Sequence, residues 1–212
     1  MVEKPARYVG GELHSIDKSP EFFLRHRSDR VHFALCFPDL YEIGMSNLAV
    51  QVLYSALNSH EHVFCERCFA PDVDLRALLR ERKLPLVSIE TMTPLSEFDI
   101  LGFSLHYELA YTAVLEMLDL AEIPLRTEDR AESDPLIVAG GPIACNLEPM
   151  ASFFDLIMLG DGEFLLPELV AEYGKGKESQ ESKAKFLHRV CNLDGVYIPS
   201  FYEPRYREDG RI

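Results

Sequence analysis

The chain has 212 residues, 47% hydrophobic and 10% aromatic, enough to bury a core in one α/β domain with appendages. Its 21 Lys and Arg against 35 Asp and Glu leave a net charge of −14, a field that repels phosphate backbones and disfavours nucleic acid as a partner. Five cysteines in no regular framework argue against a secreted disulfide scaffold, no stretch approaches the roughly 20 apolar residues that cross a bilayer, and the amino terminus has no hydrophobic signal core, so the expected setting is the reducing cytoplasm.

In chain order, residues 1–30 are polar, broken by Gly10-Gly11 and Pro20, and read as an extended arm outside the sheet. Residues 31–37 are an apolar run that predicts the first strand. Residues 46–58 place Leu48, Val52, Leu53 and Leu57 at helical spacing, with Ser46 as the expected N-cap. A second strand is predicted over 63–70, then Pro71-Asp72 and a helix through Leu75, Leu78 and Leu79, then a minor strand over 86–89. The third main strand is read over 99–105 and a periodic helix over 108–121. A fourth strand over 136–139 ends in Gly140-Gly141, and a fifth over 154–159 ends in Gly160-Asp161-Gly162-Glu163 before a helix over 164–173.

Residues 174–180 are polar and read as a linker, and 182–191 as a further helix. Residues 196–207 are rich in β-formers, and Glu208-Asp209-Gly210 is a hairpin-turn signal whose return strand would begin at Arg211-Ile212. A hairpin arm left bare there predicts a chain that continues into a further domain. The expected fold is α/β: a doubly wound, Rossmann-like, flavodoxin-type and mostly parallel five-stranded sheet. It divides into an N-terminal arm (1–30), the sheet domain (31–173) and a C-terminal linker, helix and β extension (174–212).

The carboxyl ends of parallel strands form the ligand crevice of such a sheet, so the loops there are the first candidates. After the first strand, Asp39, Tyr41 and Glu42 are polar groups at a strand end, Gly44 permits a turn or a close approach, and Ser46 can cap a helix and face a ligand. Ser104, at the end of the third strand, is a candidate ligand contact. His106 reads as its hydrogen-bonded neighbour and Glu108 as a first-turn helix acid. Gly140-Gly141 either lets a flat ligand lie on bare backbone or makes a tight turn before Pro142. Asp161, Gly162 and Glu163 repeat the pattern of turn, helix start and two acids, the acids reading as solvated helix caps rather than an acid–base pair.

The run His60-x-His62-x-x-Cys65-x-x-Cys68 has zinc-ligand residue types, but residues three apart on a strand point to opposite faces. A P-loop, a Gly-x-Gly-x-x-Gly after the first strand and a Gly-x-Ser-x-Gly elbow are all absent from the sequence.

Several pieces recur together. They are Ala6-Arg7-Tyr8-Val9-Gly10-Gly11-Glu12, Phe37-Pro38-Asp39-Leu40-Tyr41-Glu42-Ile43-Gly44-Met45-Ser46, Phe69-Ala70-Pro71, Gly102-Phe103-Ser104-Leu105, Ala139-Gly140-Gly141-Pro142, Gly160-Asp161-Gly162-Glu163 and Pro199-Ser200-Phe201-Tyr202. In this order and combination the chain resembles radical SAM proteins that carry an amino-terminal cobalamin-binding-like domain. The resemblance implies a Rossmann-like domain ahead of a partial TIM barrel that holds a 4Fe-4S cluster and S-adenosylmethionine. The cluster motif Cys-x-x-x-Cys-x-x-Cys occurs nowhere in these residues, so the radical chemistry is expected in the downstream barrel, the expected partner of this domain.

Asp39-x-Tyr41-x-x-Gly44 nearly reproduces the cobalamin loop Asp-x-His-x-x-Gly, with tyrosine where the cobalt-ligating histidine stands. Ser104 and Gly140-Gly141 match the other two parts of that pattern, where the nucleotide tail lies. The resemblance therefore implies cobalamin held without a histidine lower ligand. Its contacts would fall among Asp39, Tyr41, Glu42, Gly44, Ser46, Ser104, Gly140, Gly141, Asp161, Gly162 and Glu163, with no catalytic residue or protein-bound metal assigned. A non-binding scaffold that docks on the barrel is the alternative. A flavodoxin-like module is disfavoured because the first loop lacks a Ser/Thr-rich phosphate cradle.

Overall fold

The apolar run Val31–Phe37 becomes β1, buried along its whole length, as a strand covered on both faces must be. The computed structural model describes residues 2–8, 15, 30–203 and 205–211, so most of the expected arm, with Val9 to Glu12 of the recurring pieces, lies outside the described residues. β1 pairs in parallel with β2 (Val63–Phe69) on one side and β3 (Ile100–Ser104) on the other. β4 (Leu136–Gly140) and β5 (Leu156–Met158) continue the parallel sheet. The order β2-β1-β3-β4-β5-β6 is the doubly wound, flavodoxin-type order with one strand added. That sixth strand, β6 (Val196–Tyr197), is all that forms of the β arm expected over 196–207, since Pro199–Phe201 turns as a 3-10 helix; it runs antiparallel to β5, pairing Tyr197 with Ile157 and Val196 with Met158.

The pleat sorts side chains to two cores. Phe33, Leu35 and Phe37 of β1, Val138 of β4 and Met158 of β5 face α2 (Leu48–Asn58), α5 (Gly162–Glu178) and α6 (Lys183–Val190). Ala34, Cys36, Leu101, Phe103 and Ala139 face α3 (Val73–Arg82) and α4 (Tyr111–Leu120).

Several expected boundaries move. Residues 41–45 are already helical (α1, Tyr41–Met45), because Leu40 C=O accepts from both Ile43 N and Gly44 N at 3.0 Å. Asn47, not Ser46, caps α2, its side chain accepting from Ala49 N at 2.9 Å, while Ser46 Oγ turns back to the carbonyls of Glu42 and Ile43. The expected minor strand over 86–89 is reduced to one bridge, Val87 to Pro94. The helix read from 108 begins as a 3-10 turn, Glu108–Ala110, before α4. The polar stretch over 174–180 is not a linker: α5 runs on to Glu178, and Lys177 Nζ reaches Asp99 at 2.6 Å and the carbonyl of Arg30 at 3.0 Å.

β2 is an edge strand, yet every residue of it is buried. The connection over 84–98 covers that edge: Ile89 N donates to Arg67 C=O at 2.9 Å, and Arg67 pairs with Glu90 at 2.8 Å, both side chains at most 5% exposed. Glu66, fully buried, accepts from the backbone and hydroxyl of Thr91. At the amino ends of β4 and β5 a second buried pair ties the connections together. Arg130 Nη1 meets Asp155 Oδ2 at 2.9 Å, the same carboxylate accepts from Ile137 N at 2.7 Å, and Arg130 also donates to Pro124, Leu125 and Phe153 carbonyls.

Removing one member of such a pair strands the other charge in the interior. Arg130→Met is expected to cost about 3–5 kcal/mol in a urea denaturation series, against less than about 1 kcal/mol for the exposed Arg82→Met.

Candidate functional site

A crevice of about 540 Å³ opens over the carboxyl ends of β1, β3, β4 and β5, on the face roofed by α2 and α5. Its floor is made by the alternate residues that point to that face: Leu35, Gly102, Ser104, Val138, Gly140 and Met158. The central strands end in Ser104 and Gly140, partners in register, so no large side chain rises there to meet the helices. Ala49, Val52 and Leu53 of α2 and Leu166 of α5 form the walls, and the turn after β4 brings Pro142, Ala144 and Cys145 to the rim.

The two glycines after β4 differ in purpose. A Cβ at Gly140 would have Met158 Cβ as its nearest neighbour, at 3.7 Å, so there is room above bare backbone. Gly141 has φ of 109°, and a Cβ there would stand 2.4 Å from Leu105 C=O; it turns the chain where only glycine fits. The tight-turn reading of the pair holds at Gly141, while Gly140 leaves its backbone uncovered. Gly162, at the start of α5, approaches α2 so closely that a Cβ would lie 3.0 Å from Leu53 Cδ2.

Polar groups are few. Ser104 Oγ and His106 Nε2 are 3.2 Å apart, and the imidazole packs on the Phe37 ring at 5.4 Å. Partial burial lowers the His106 pKa below its ordinary 6.5, which keeps the ring neutral at neutral pH. Asp161 and Glu163 line the crevice where α5 begins. The Asp161 carbonyl accepts from Phe164 N and Leu165 N, but its side chain makes no cap. Val52 and Leu159 line the crevice while 41% and 43% exposed; Leu48 and Phe164, in the first turns of α2 and α5, are 71% and 72% exposed.

Of the sequence candidates, Ser104, Gly140, Gly141, Asp161, Gly162 and Glu163 come together here. The β1 loop does not join them, because its polar groups are engaged elsewhere. Asp39 accepts from Leu40 N at 2.7 Å and from the Tyr107 hydroxyl, a bond that pushes the Tyr107 phenol up to about 12. Glu42 pairs with Arg7, which also holds Asp72 at 2.5 Å. Tyr41 stands edge-on to Phe69 at 5.4 Å. Gly44 lies beneath Phe69, whose ring atoms would sit 2.3 Å from a Cβ there, so its small size serves packing.

Sequence reasoning set His106 aside as a neighbour of Ser104; it is that, and it lines the crevice as well. The α2 wall and Cys145 carried no signal beyond their helical and loop positions. The zinc-type set does not converge: Cys65 belongs to one core and Cys68 to the other, His60 and His62 are exposed, and no metal-binding cluster occurs among the described residues. No helix among the described residues is long and apolar enough to cross a membrane.

A mostly parallel sheet in this order with a carboxyl-end crevice defines a doubly wound α/β domain. Residues 49–199 match the family described as radical SAM proteins, N-terminal, and the chain belongs to that family. The match takes in every crevice residue named above except Leu35, and begins after the β1 loop. No curated protein and no solved structure gives a match.

Two outcomes test this geometry. In urea denaturation Gly141→Ala is expected to cost about 2–4 kcal/mol, whereas Gly140→Ala stays within about 1 kcal/mol of the parent. An NMR titration should place His106 below 6.5. As pH falls from about 7 to about 5 the unfolded imidazole takes its proton before the folded one, so stability falls through that window. His106→Asn should lose less over the same range.

Proposed function

We propose that this chain is the ligand-holding domain that precedes a radical SAM catalytic barrel, and that its crevice receives the flat end of a cofactor, cobalamin being the one its sequence resemblance implies. The observation that carries this reading is the floor: bare backbone at Gly140 beside the Ser104 hydroxyl, with open space above both. Ser104, Gly140 and Gly141 suit the nucleotide tail of cobalamin, and the exposed apolar residues at the helix starts suit a large ring seated over the mouth. The cobalt ligand is the part that does not fit, since Tyr41 is packed on Phe69 and Asp39 is held by Tyr107.

When bound, cobalamin supplies a cobalt centre able to carry a methyl group or an electron. The chain's own residues bind and orient the cofactor and keep water from its tail. The 4Fe-4S cluster, S-adenosylmethionine and the radical step belong in this reading to the downstream barrel of the parent enzyme, whose substrate is open. Its setting is proposed as the reducing cytoplasm, in keeping with five free cysteines.

A second reading, a scaffold that binds nothing and docks on the barrel, is favoured by the exposure of Leu48 and Phe164. Ultraviolet–visible titration with hydroxocobalamin separates the two. The cofactor reading expects a saturable spectral change, unaltered in Tyr41→Phe. A flat response at high cobalamin leaves the scaffold.

A further inference from the structure

Residues 3–8 lie against the carboxyl edge, beside the β1 loop. Arg7 spans two carboxylates: Glu42 on α1, and Asp72, the N-cap of α3, at 2.5 Å. Tyr8 donates to Asp74 in the first turn of α3 at 2.6 Å, and Glu3 N donates to the same carboxylate at 2.8 Å. No residue of the turn Pro5–Tyr8 is buried, so polar contacts rather than apolar burial hold this strap down. Helix α1 is held by little more. It has five residues, Leu40 at its start gives no side-chain cap, and within it Gly44 alone is buried.

A run of contacts leads from the strap into the crevice. Three residues before Glu42, in the same loop, Asp39 accepts from the Tyr107 hydroxyl. The residue before Tyr107 is His106, whose ring rests on Phe37 at 5.4 Å and meets Ser104 Oγ at 3.2 Å inside the crevice. The Arg7 guanidinium bonds to Glu42 and Asp72, so its influence on the imidazole has to pass through the loop.

We propose that residues 3–8 are a strap that sets the place of His106 in the crevice through α1 and the Asp39–Tyr107 bond. With the strap seated, α1 stays docked, Asp39 holds Tyr107, and the imidazole is kept against Ser104 and Phe37. With the strap lifted, Glu42 loses its cation, the loop from Asp39 to Met45 loosens, and His106 is free to swing towards solvent. Such coupling is reciprocal: a ligand that displaces His106 loosens the strap by the factor by which a lifted strap changes that ligand's affinity. The coupling itself needs no ligand; its use in controlling entry rests on reading the crevice as the ligand site of the domain.

NMR and amide hydrogen exchange on the full chain test the strap from both ends. In Arg7→Gln the amides over 39–46 should exchange at least about 5-fold faster, and the His106 pKa should rise towards 6.5, at an unchanged circular dichroism spectrum. Arg7→Lys keeps the charge without spanning both carboxylates, so a shift of His106 there is not a direct field effect; about half the change is expected. From the other end, Tyr107→Phe should speed exchange of the Arg7 Nε–H at least about 5-fold. The double variant Arg7→Lys, Tyr107→Phe should move His106 no further than Tyr107→Phe alone, because both break one path. An imidazole unmoved in Arg7→Lys, an Arg7 Nε–H unaffected by Tyr107→Phe, or shifts that add in the double variant overturns the proposal. Hydroxocobalamin titrated in parallel keeps the two readings apart. Coupling in a chain that ignores cobalamin retains the strap and sinks the cofactor reading; cobalamin binding with His106 indifferent to the strap does the reverse.

Discussion

Where helices roof a parallel sheet, the inward side chain at each strand end decides whether roof and floor meet. β1 and β5 place Leu35 and Met158 at this level, and Leu166 and Leu53 come down from the helices. β3 and β4 offer Ser104 and Gly140 instead, two positions of small volume side by side, while the space at Gly102 one pleat earlier is filled by the Phe33 ring. Close packing elsewhere in the two cores leaves this as the gap, and the order of strands puts it at the carboxyl edge, where the βα turns also converge. The crevice follows from pleat, register and the smallness of those residues.

The surroundings hold that gap in shape. Gly141 turns the chain against Leu105 so that the rim residues Pro142 to Cys145 stand beside the opening, and Gly162 lets α5 start against Leu53. Further back, Arg130 and Asp155 anchor the connections that feed β4 and β5, and the loop over 84–98 seals the edge of β2. The crevice end of the domain is therefore sparse in polar contacts while its other margins are dense in them. That division suits a site whose ligand supplies the missing contacts.

Much of the architecture was legible because local pattern and tertiary outcome agree. The continuous apolar run Val31–Phe37, the alternation of strands and helices and the opposite faces of Cys65 and Cys68 needed only periodicity. The β1 loop misled because its partners are remote: Arg7 is 35 residues from Glu42, and Tyr107 is 68 from Asp39. Ser46 and Asn47 are both good caps, and the choice between them depended on a helical turn, α1, too short to show in spacing. Residues 174–180 read as a linker because they are polar. Gly176 sits where a Cβ would meet Glu181 at 2.7 Å, and Lys177 is held by Asp99, so packing overrides propensity there. His106 was visible as a neighbour of Ser104 but not as a crevice residue, because that depends on where α2 and α5 lie.

The central claim is that space above Gly140 is the binding site rather than a packing defect. Gly140→Val tests it most directly, since a valine there projects into the opening without touching the backbone turn at Gly141. Hydroxocobalamin titration combined with thermal unfolding should find a melting temperature within about 4 °C of the parent and no cobalamin binding. Parent-like affinity in that variant would contradict the account.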